Sequence, residues 1–284
     1  MEILNTVLTA REFIKEKKAK GLSIGLVPTM GYLHEGHLSL IKESKKKNDI
    51  TVLSIFVNPT QFAPNEDFST YPRDFARDAK LAEESGADAI FAPAAEELYP
   101  AHYQTYVGVE ELTKHLCGKS RPTHFRGVTT IVSKLFHIFA PDRAYFGQKD
   151  AQQFFVIDRM VKDLNFNLEL VMCPIVREAD GLAKSSRNVF LDPEQRKQAL
   201  CLIQALREAE AAVMNGERDA HKIIGLLEAV IAKQNLASLD YAEVVDTETL
   251  QSVDSISGRV LLALAVRFGK IRLIDNMILE VSND

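Results

Sequence analysis

The chain has 284 residues, 46% hydrophobic and 26% charged, a composition that supports a sizeable core and excludes a disordered, collagenous or coiled-coil chain. Its net charge of −5 provides no general positive field for a polyanion, which weighs against nucleic acid as the main partner. The opening residues lack a signal-peptide core and the apolar run VLLALAV at 260–266 is too short to span a bilayer, so no membrane partner and a cytoplasmic location are expected.

Periodicity predicts a helix near 9–20, a strand in SIGLVPT at 23–29, a helix near 36–47, a strand in DITVLSIFV at 49–57, a helix near 72–85 and a strand in ADAIFAP at 87–93. FRGVTTIVSKLFHIF at 125–139 then reads as helix, RAYFG at 143–147 as strand, AQQFFVIDRMVKDLN at 151–165 as helix and LELVMCPIV at 168–176 as strand. This βα repetition with continuously apolar strands predicts an α/β fold, a Rossmann-like parallel sheet with helices on both faces. After about residue 180 the texture changes: Asp192 as N-cap and Pro193 at the first helical position open one long helix ending near Gly216. A second helix near 219–234 and β-rich runs with a Gly269-Lys270 turn complete a smaller α+β C-terminal domain. The expected division is 1–178 and 179–284. Cys117, Cys173 and Cys201 match neither a disulfide framework nor a metal knuckle and are expected as thiols.

In doubly wound sheets ligands bind beyond the carboxyl ends of the strands, so the loops there are the place to search. PTMGYLHEGHLSL at 28–40 has glycines for close backbone approach at Gly31 and Gly36 and leads into a helix whose N–H groups and dipole attract anions. His34 and His37 fall on one side of its first turn and can donate to phosphate; the bland alternative is an ordinary helix start. They lack a third ligand for zinc, and no metal site is expected. In SIFVNPTQF at 54–62, Asn58-Pro59 breaks the strand and presents Gln61, either to a hydroxyl or carboxylate of a ligand or to solvent. In YFGQKDAQQFF at 145–155, Gly147 allows a tight turn, Lys149 offers charge to a phosphoryl group, and Gln153 lies one helical turn on. Asp150 there reads as helix cap, as ribose acceptor, or as both. READGLAKSSRN at 177–188 places Lys184, Ser185, Ser186 and Arg187 in four residues, a polyphosphate clamp or an exposed basic linker. SRPTHFRGV at 120–128 carries Arg121, His124 and Arg126, which could close over an anion; Thr123 could equally be only a helix cap.

Taken together, PTMGYLHEGHLSL, SIFVNPTQF, RPTHFRGV, FGQKDAQQ, VREADGLAKSSRN, DYAEVVD and GKIRLIDN, in that order over nearly the whole chain, resemble the pantothenate synthetase (pantoate–β-alanine ligase) family. That family is related to the class I aminoacyl-tRNA synthetases, whose HxGH and KMSKS-like motifs correspond to 34–37 and 184–187. The resemblance implies attack of the pantoate carboxylate on the α-phosphorus of ATP, with Mg2+ carried on the nucleotide, to give pantoyl adenylate and pyrophosphate. The amine of β-alanine then displaces AMP to form pantothenate. It further implies an ATP site lined by Met30, Gly31, Tyr32, Leu33, His34, Glu35, Gly36 and His37, with His37 as proton donor and His34 as its phosphate-binding companion. Gly147 and Asp150 would meet ribose, Gln148 and Lys149 the nucleotide with Lys149 on the α-phosphate, the Val176 backbone the adenine, and Lys184, Ser185, Ser186 and Arg187 the triphosphate. Gln61 and Gln153 would hold pantoate and β-alanine, and the enzyme would be a homodimer.

Three positions depart from the family's commonest pattern: Lys184 where Met is frequent, Cys117 where Glu is frequent and Thr123 where Gly is frequent. Lys184 could add a phosphate contact or point to solvent. The rivals are another adenylyltransferase of the same fold, such as one acting on phosphopantetheine or nicotinate mononucleotide, and a non-catalytic nucleotide- or RNA-binding relative of a synthetase. The glutamine pair and C-terminal region weigh against the first, the acidic charge against the second.

Overall fold

Consecutive buried residues that face opposite sides of the central strands organise the larger part of the molecule, whose computed structural model describes residues 1–64, 66 and 68–282. Asn65 and Asp67, in the stretch following Gln61, lie outside the described residues. Strands β1 (Glu2–Leu4), β2 (Ile24–Thr29), β3 (Ile50–Ile55), β4 (Ala89–Phe91), β5 (Arg143–Gly147) and β6 (Glu169–Cys173) form one sheet in the order β1-β4-β3-β2-β5-β6. All its pairings are parallel. Leu26, Val52, Phe91, Ala144 and Phe146 point to a core shared with helices α1 (Val7–Ala19), α6 (His124–Phe139) and α7 (Ala151–Asp163). Their neighbours Val27, Leu53, Ile90 and Tyr145 point the opposite way, to α2 (Glu35–Lys47) and α3 (Phe75–Glu84). With both faces covered, the strands carry no polar alternation, which is why they read as continuous apolar runs.

The connection α2 leaves β2 toward β3, whereas α7 leaves β5 toward β6, so the strand order reverses between β2 and β5. These two strands are paired, Gly25 with Arg143 and Leu26 with Ala144. The crevice beyond their carboxyl ends is the switch point at which doubly wound sheets hold ligands. Short helices α4 (Ala95–Leu98) and α5 (Leu116–Ser120) lie on the long connection from β4 to α6.

Beyond β6, helices α8 (Pro193–Gln198), α9 (Cys201–Met214) and α10 (Ala220–Ala232) precede an antiparallel sheet β7 (Ala237–Asp246), β8 (Gly258–Phe268) and β9 (Ile271–Val281), with β8 central. Val260, Leu262, Leu264 and Val266 of β8 pack with α9 and α10. Leu261 and Ala263, on its other face, pack with Phe125, Phe155 and Val156 of the larger part. VLLALAV is thus a strand buried on both sides.

Two expectations need correction. The single long helix from Asp192 is two helices: the cap and Pro193 stand as read, with Asp192 accepting from Glu194 and Gln195 N–H at 2.9 and 2.8 Å. The chain then turns at Ala199-Leu200, where ψ values of −17° and −15° tighten the last turn. Ala199 and Cys201 are buried on either side of the turn, so packing overrides helix propensity there. Strand β1 is an addition to the expected elements; its three residues are too few for a periodic signal and are held by pairing with Ala89–Phe91. All three cysteines are buried and free.

Candidate active site

The β2 loop begins with Gly31 at φ +85° and Tyr32 at φ +49°, a left-handed pair that glycine tolerates and tyrosine adopts only under constraint. The constraint is Asp78 of α3, 1% exposed, whose carboxylate accepts from the N–H groups of Tyr32 and Leu33 at 2.6 and 2.7 Å. Asp78 carries no sequence motif. Leu33 is fully buried in the core beneath α2.

His34 is the N-cap of α2: its Nδ1 accepts from the Gly36 N–H at 3.1 Å, and the Nδ1 of His37 accepts from the His34 N–H at 3.3 Å. The rings lie 4.0 Å apart, tilted by 33°. The capping reading is realised by the Nδ1 atoms, and it leaves the Nε2 atoms outside the cap. With Nδ1 an acceptor, the proton resides on Nε2 of each ring, and no protein group among the described residues takes it. Burial, with lesser contributions from Lys149, holds His34 down to about 4. Burial, then His34 and Lys149, holds His37 well below its usual range. Both are neutral hydrogen-bond donors at pH 7. A Cβ on Gly36 would stand 2.8 Å from the His34 ring, so this glycine makes room for the cap.

Gln61 is not a solvent-facing loop residue, being only 8% exposed. Asn58, 1% exposed, donates to Gln61 Oε1 and to the Gly127 carbonyl at 3.0 Å each. Its own oxygen accepts from Tyr99 and Thr60 hydroxyls at 2.8 and 3.0 Å. This network turns the Gln61 amide nitrogen inward, 3.1 Å from Met30 Sδ. Sequence reasoning missed the roles of Asn58 and Tyr99; the Asn-Pro dipeptide signals only a strand break.

After β5, residues 148–150 form a 3-10 turn into α7. Asp150 occupies the N-cap position of α7 without a side-chain capping bond, so of its two readings the cap is not realised. Thr123, at the N-cap of α6, also makes no capping bond. Gly147 has an ordinary φ of −81° and open space where a Cβ would stand, so the tight-turn expectation is not realised at this glycine. Lys149 Nζ is 3.9 Å from Asp150, and the Gln153 side chain, which lines the cavity, makes no hydrogen bond among the described residues.

In the 177–188 segment, the Lys184 N–H donates to the Val176 carbonyl at 2.9 Å, and Val176 lines the cavity. The Lys184 ammonium is held by Glu178 at 2.8 Å and Glu35 at 3.1 Å, so it is neither a free phosphate contact nor solvent-directed. Ser185 caps the turn that follows it, its Oγ accepting from the Arg187 N–H at 3.3 Å. Cys117 Sγ lies 3.2 Å from Tyr241 Oη and 3.5 Å from Arg272, whose carboxylate partner at 2.8 Å is Asp240.

One cavity at the β2/β5 switch point is lined by Met30, His34, Gly36, His37, Gln61, Gly147, Lys149, Asp150, Gln153, Val176 and residues 184–187. Gly31, Tyr32, Leu33, Glu35 and Gln148, expected to line the site, are not among the residues lining the cavity. Arg121 and His124 also line the cavity. Arg121 is clamped by Glu66 through two hydrogen bonds of 2.5 and 2.6 Å, and His124 Nδ1 contacts the Gln61 carbonyl at 2.9 Å. The cavity thus gathers the two imidazoles, the Lys149 ammonium and the Gln61 and Gln153 amides, groups that can donate hydrogen bonds to an anion and neutralise charge.

Residues 2–278 match the family model described as pantoate-beta-alanine ligase. A pantothenate synthetase of Acetivibrio thermocellus is 60% identical over 281 residues, covering 99% of this chain and all of the relative. The crystal structure of pantothenate synthetase from Thermus thermophilus superposes with a TM-score of 0.93 at 43% identity, covering 99% of this chain and 100% of that one. The pantoate-beta-alanine ligase of Francisella tularensis, solved in complex with beta-gamma ATP and beta-alanine, superposes with a TM-score of 0.79 at 33% identity over 98% of this chain and 97% of that one.

Proposed function

The chain belongs to the pantoate-beta-alanine ligase family, and from that premise we propose that it joins (R)-pantoate to β-alanine through a pantoyl adenylate. A carboxylate oxygen of pantoate attacks the α-phosphorus of ATP and the bond to the β-phosphate breaks, releasing pyrophosphate. The amine of β-alanine then attacks the acyl carbon, loses a proton, and AMP leaves with the carboxylate oxygen it received. The observation that carries the reading is the convergence, in one cavity, of His34, His37 and Lys149 with Gln61 and Gln153.

In this reading the Nε2–H groups of His34 and His37 and the Lys149 ammonium bind the phosphates and neutralise charge as it builds on the departing pyrophosphate. His37 acts as a neutral hydrogen-bond donor, which refines the expectation of a proton donor. The Val176 N–H meets adenine, Asp150 and the bare Gly147 accommodate ribose, and Gln61 and Gln153 bind the hydroxyls and carboxylate of pantoate, which an apolar pocket would discriminate poorly. Magnesium arrives with the triphosphate as part of the substrate; no group of three or more His, Cys, Asp or Glu among the described residues is arranged to hold an ion. The same reading assigns pantoate and most of the ATP site to residues 1–178, with residues 184–187 of the 179–284 region completing the triphosphate side, and a cytoplasmic homodimer whose mass sedimentation would measure.

The test is incubation with ATP, pantoate and β-alanine while pyrophosphate, AMP and pantothenate are followed. Pyrophosphate release should require pantoate, and AMP with amide formation should further require β-alanine. ATP bound without turnover of any acid would overturn the proposal.

A further inference from the structure

The motif GKIRLIDN near the end of the chain has no role in the reaction as described, yet its last two residues sit between the two nucleotide loops. Asn276 of β9, 4% exposed, donates from Nδ2 to the Gln148 carbonyl at 2.9 Å and to the Lys149 carbonyl at 3.0 Å. Its Oδ1 accepts from Gln148 Nε2 at 3.3 Å. Because two carbonyls can only accept, the orientation of the amide is determined. Asp275, 2% exposed, holds both Arg177 guanidinium nitrogens, at 2.6 and 3.0 Å, and also accepts the Asn276 N–H at 2.8 Å. Arg177 in turn donates to the Gly181 carbonyl at 3.1 Å and pairs with Ala183 across the hairpin that leads to Lys184.

Adjacent residues of one C-terminal strand thus hold two loops of opposite demand, a donor for the backbone that presents Lys149 and an acceptor for the hairpin that presents residues 184–187. Asn276 supplies the Gln148 and Lys149 carbonyls with a donor from outside the turn. We propose that Asp275 and Asn276 are positioning residues for the adenylation step, setting the distance between Lys149 and the serine loop. The proposal rests on the adenylation reading above. Displacing a catalytic group by about 1 Å lowers rate by about 100-fold, which sets the size of the expected effect.

The test is a double-mutant cycle between Asn276→Asp and Lys149→Ala, read by pantoate-dependent pyrophosphate release, by ATP binding in calorimetry, and by the thermal unfolding midpoint. Asn276→Asp keeps the shape but faces two carbonyls with an acceptor. It should slow pyrophosphate release by about 100-fold and weaken ATP binding by about tenfold while leaving the KM for pantoate unchanged. In the Lys149→Ala background it should cost no more than about threefold further, because both changes remove one interaction. Full multiplication of the two losses, or a folded Asn276→Asp enzyme within about threefold of the parent, would overturn the proposal. If Asn276→Asp does not unfold cooperatively, Asn276→Ala enters the same cycle with the same two outcomes. If the unaltered chain releases no pyrophosphate, the adenylation reading has failed, and unchanged ATP binding in Asn276→Asp separately decides against the positioning role.

Discussion

The Lys184 ammonium bridges Glu178, at 2.8 Å, and Glu35, at 3.1 Å, tying the serine loop to the first turn of α2. Two carboxylates already neutralise this cation, so its attraction for a triphosphate is small. Replacing Lys184 with Met should change the KM for ATP by no more than about threefold, because partly exposed ion pairs contribute little. Steady-state kinetics checks this; a loss comparable with that of Lys149→Ala would show that Lys184 reaches the phosphates.

His37 presents a neutral Nε2–H to the cavity, and deleting that donor should act on the transition state more than on bound ATP. Single-turnover adenylation by His37→Ala should fall by about 100-fold or more, with ATP affinity altered less than about tenfold. Unchanged adenylation would refute the role.

Gly127 lies under the Asn58–Gln61 turn so closely that a Cβ would stand 2.4 Å from the Thr60 carbonyl oxygen and 2.6 Å from Gln61 Cα. Backbone on both sides cannot yield without moving Gln61. Gly127→Ala should raise the KM for pantoate by about tenfold or more while the KM for ATP changes little, since a misplaced contact is expressed on the substrate it serves.

Burial, followed by the nearby Arg121, holds His124 down to about 4 from its usual 6.5. Between these values the unfolded chain binds a proton that the folded chain refuses. Stability is therefore full above pH 6.5 and falls as pH drops toward 4, by about 1.4 kcal/mol per pH unit for such a group. His124→Asn, whose amide can replace the Nδ1 donor, should flatten this slope by one proton in urea titrations at pH 5 and 6.5.

Much of this is legible in the sequence because strands buried on both faces read as apolar runs, and because loops at one sheet edge carry their chemistry in short motifs. His34, His37, Lys149, Gln61 and Gln153 are found that way. Asp78, Asn58 and Tyr99 are not: each acts through long-range hydrogen bonds, and a lone polar residue has no periodicity to betray it. Asn276 stands inside a recognised motif whose role emerges only when β9 is seen against the Lys149 loop. The break at Ala199-Leu200 is hidden because both flanking segments favour helix and only packing separates them.

The adenylate is tested most directly with pantoate carrying oxygen-18 in its carboxylate, incubated with the enzyme, ATP and β-alanine. The account predicts one labelled oxygen in AMP, because the attacking oxygen stays on phosphorus when the amide forms. Unlabelled AMP, or label in inorganic phosphate accompanied by ADP, would contradict it.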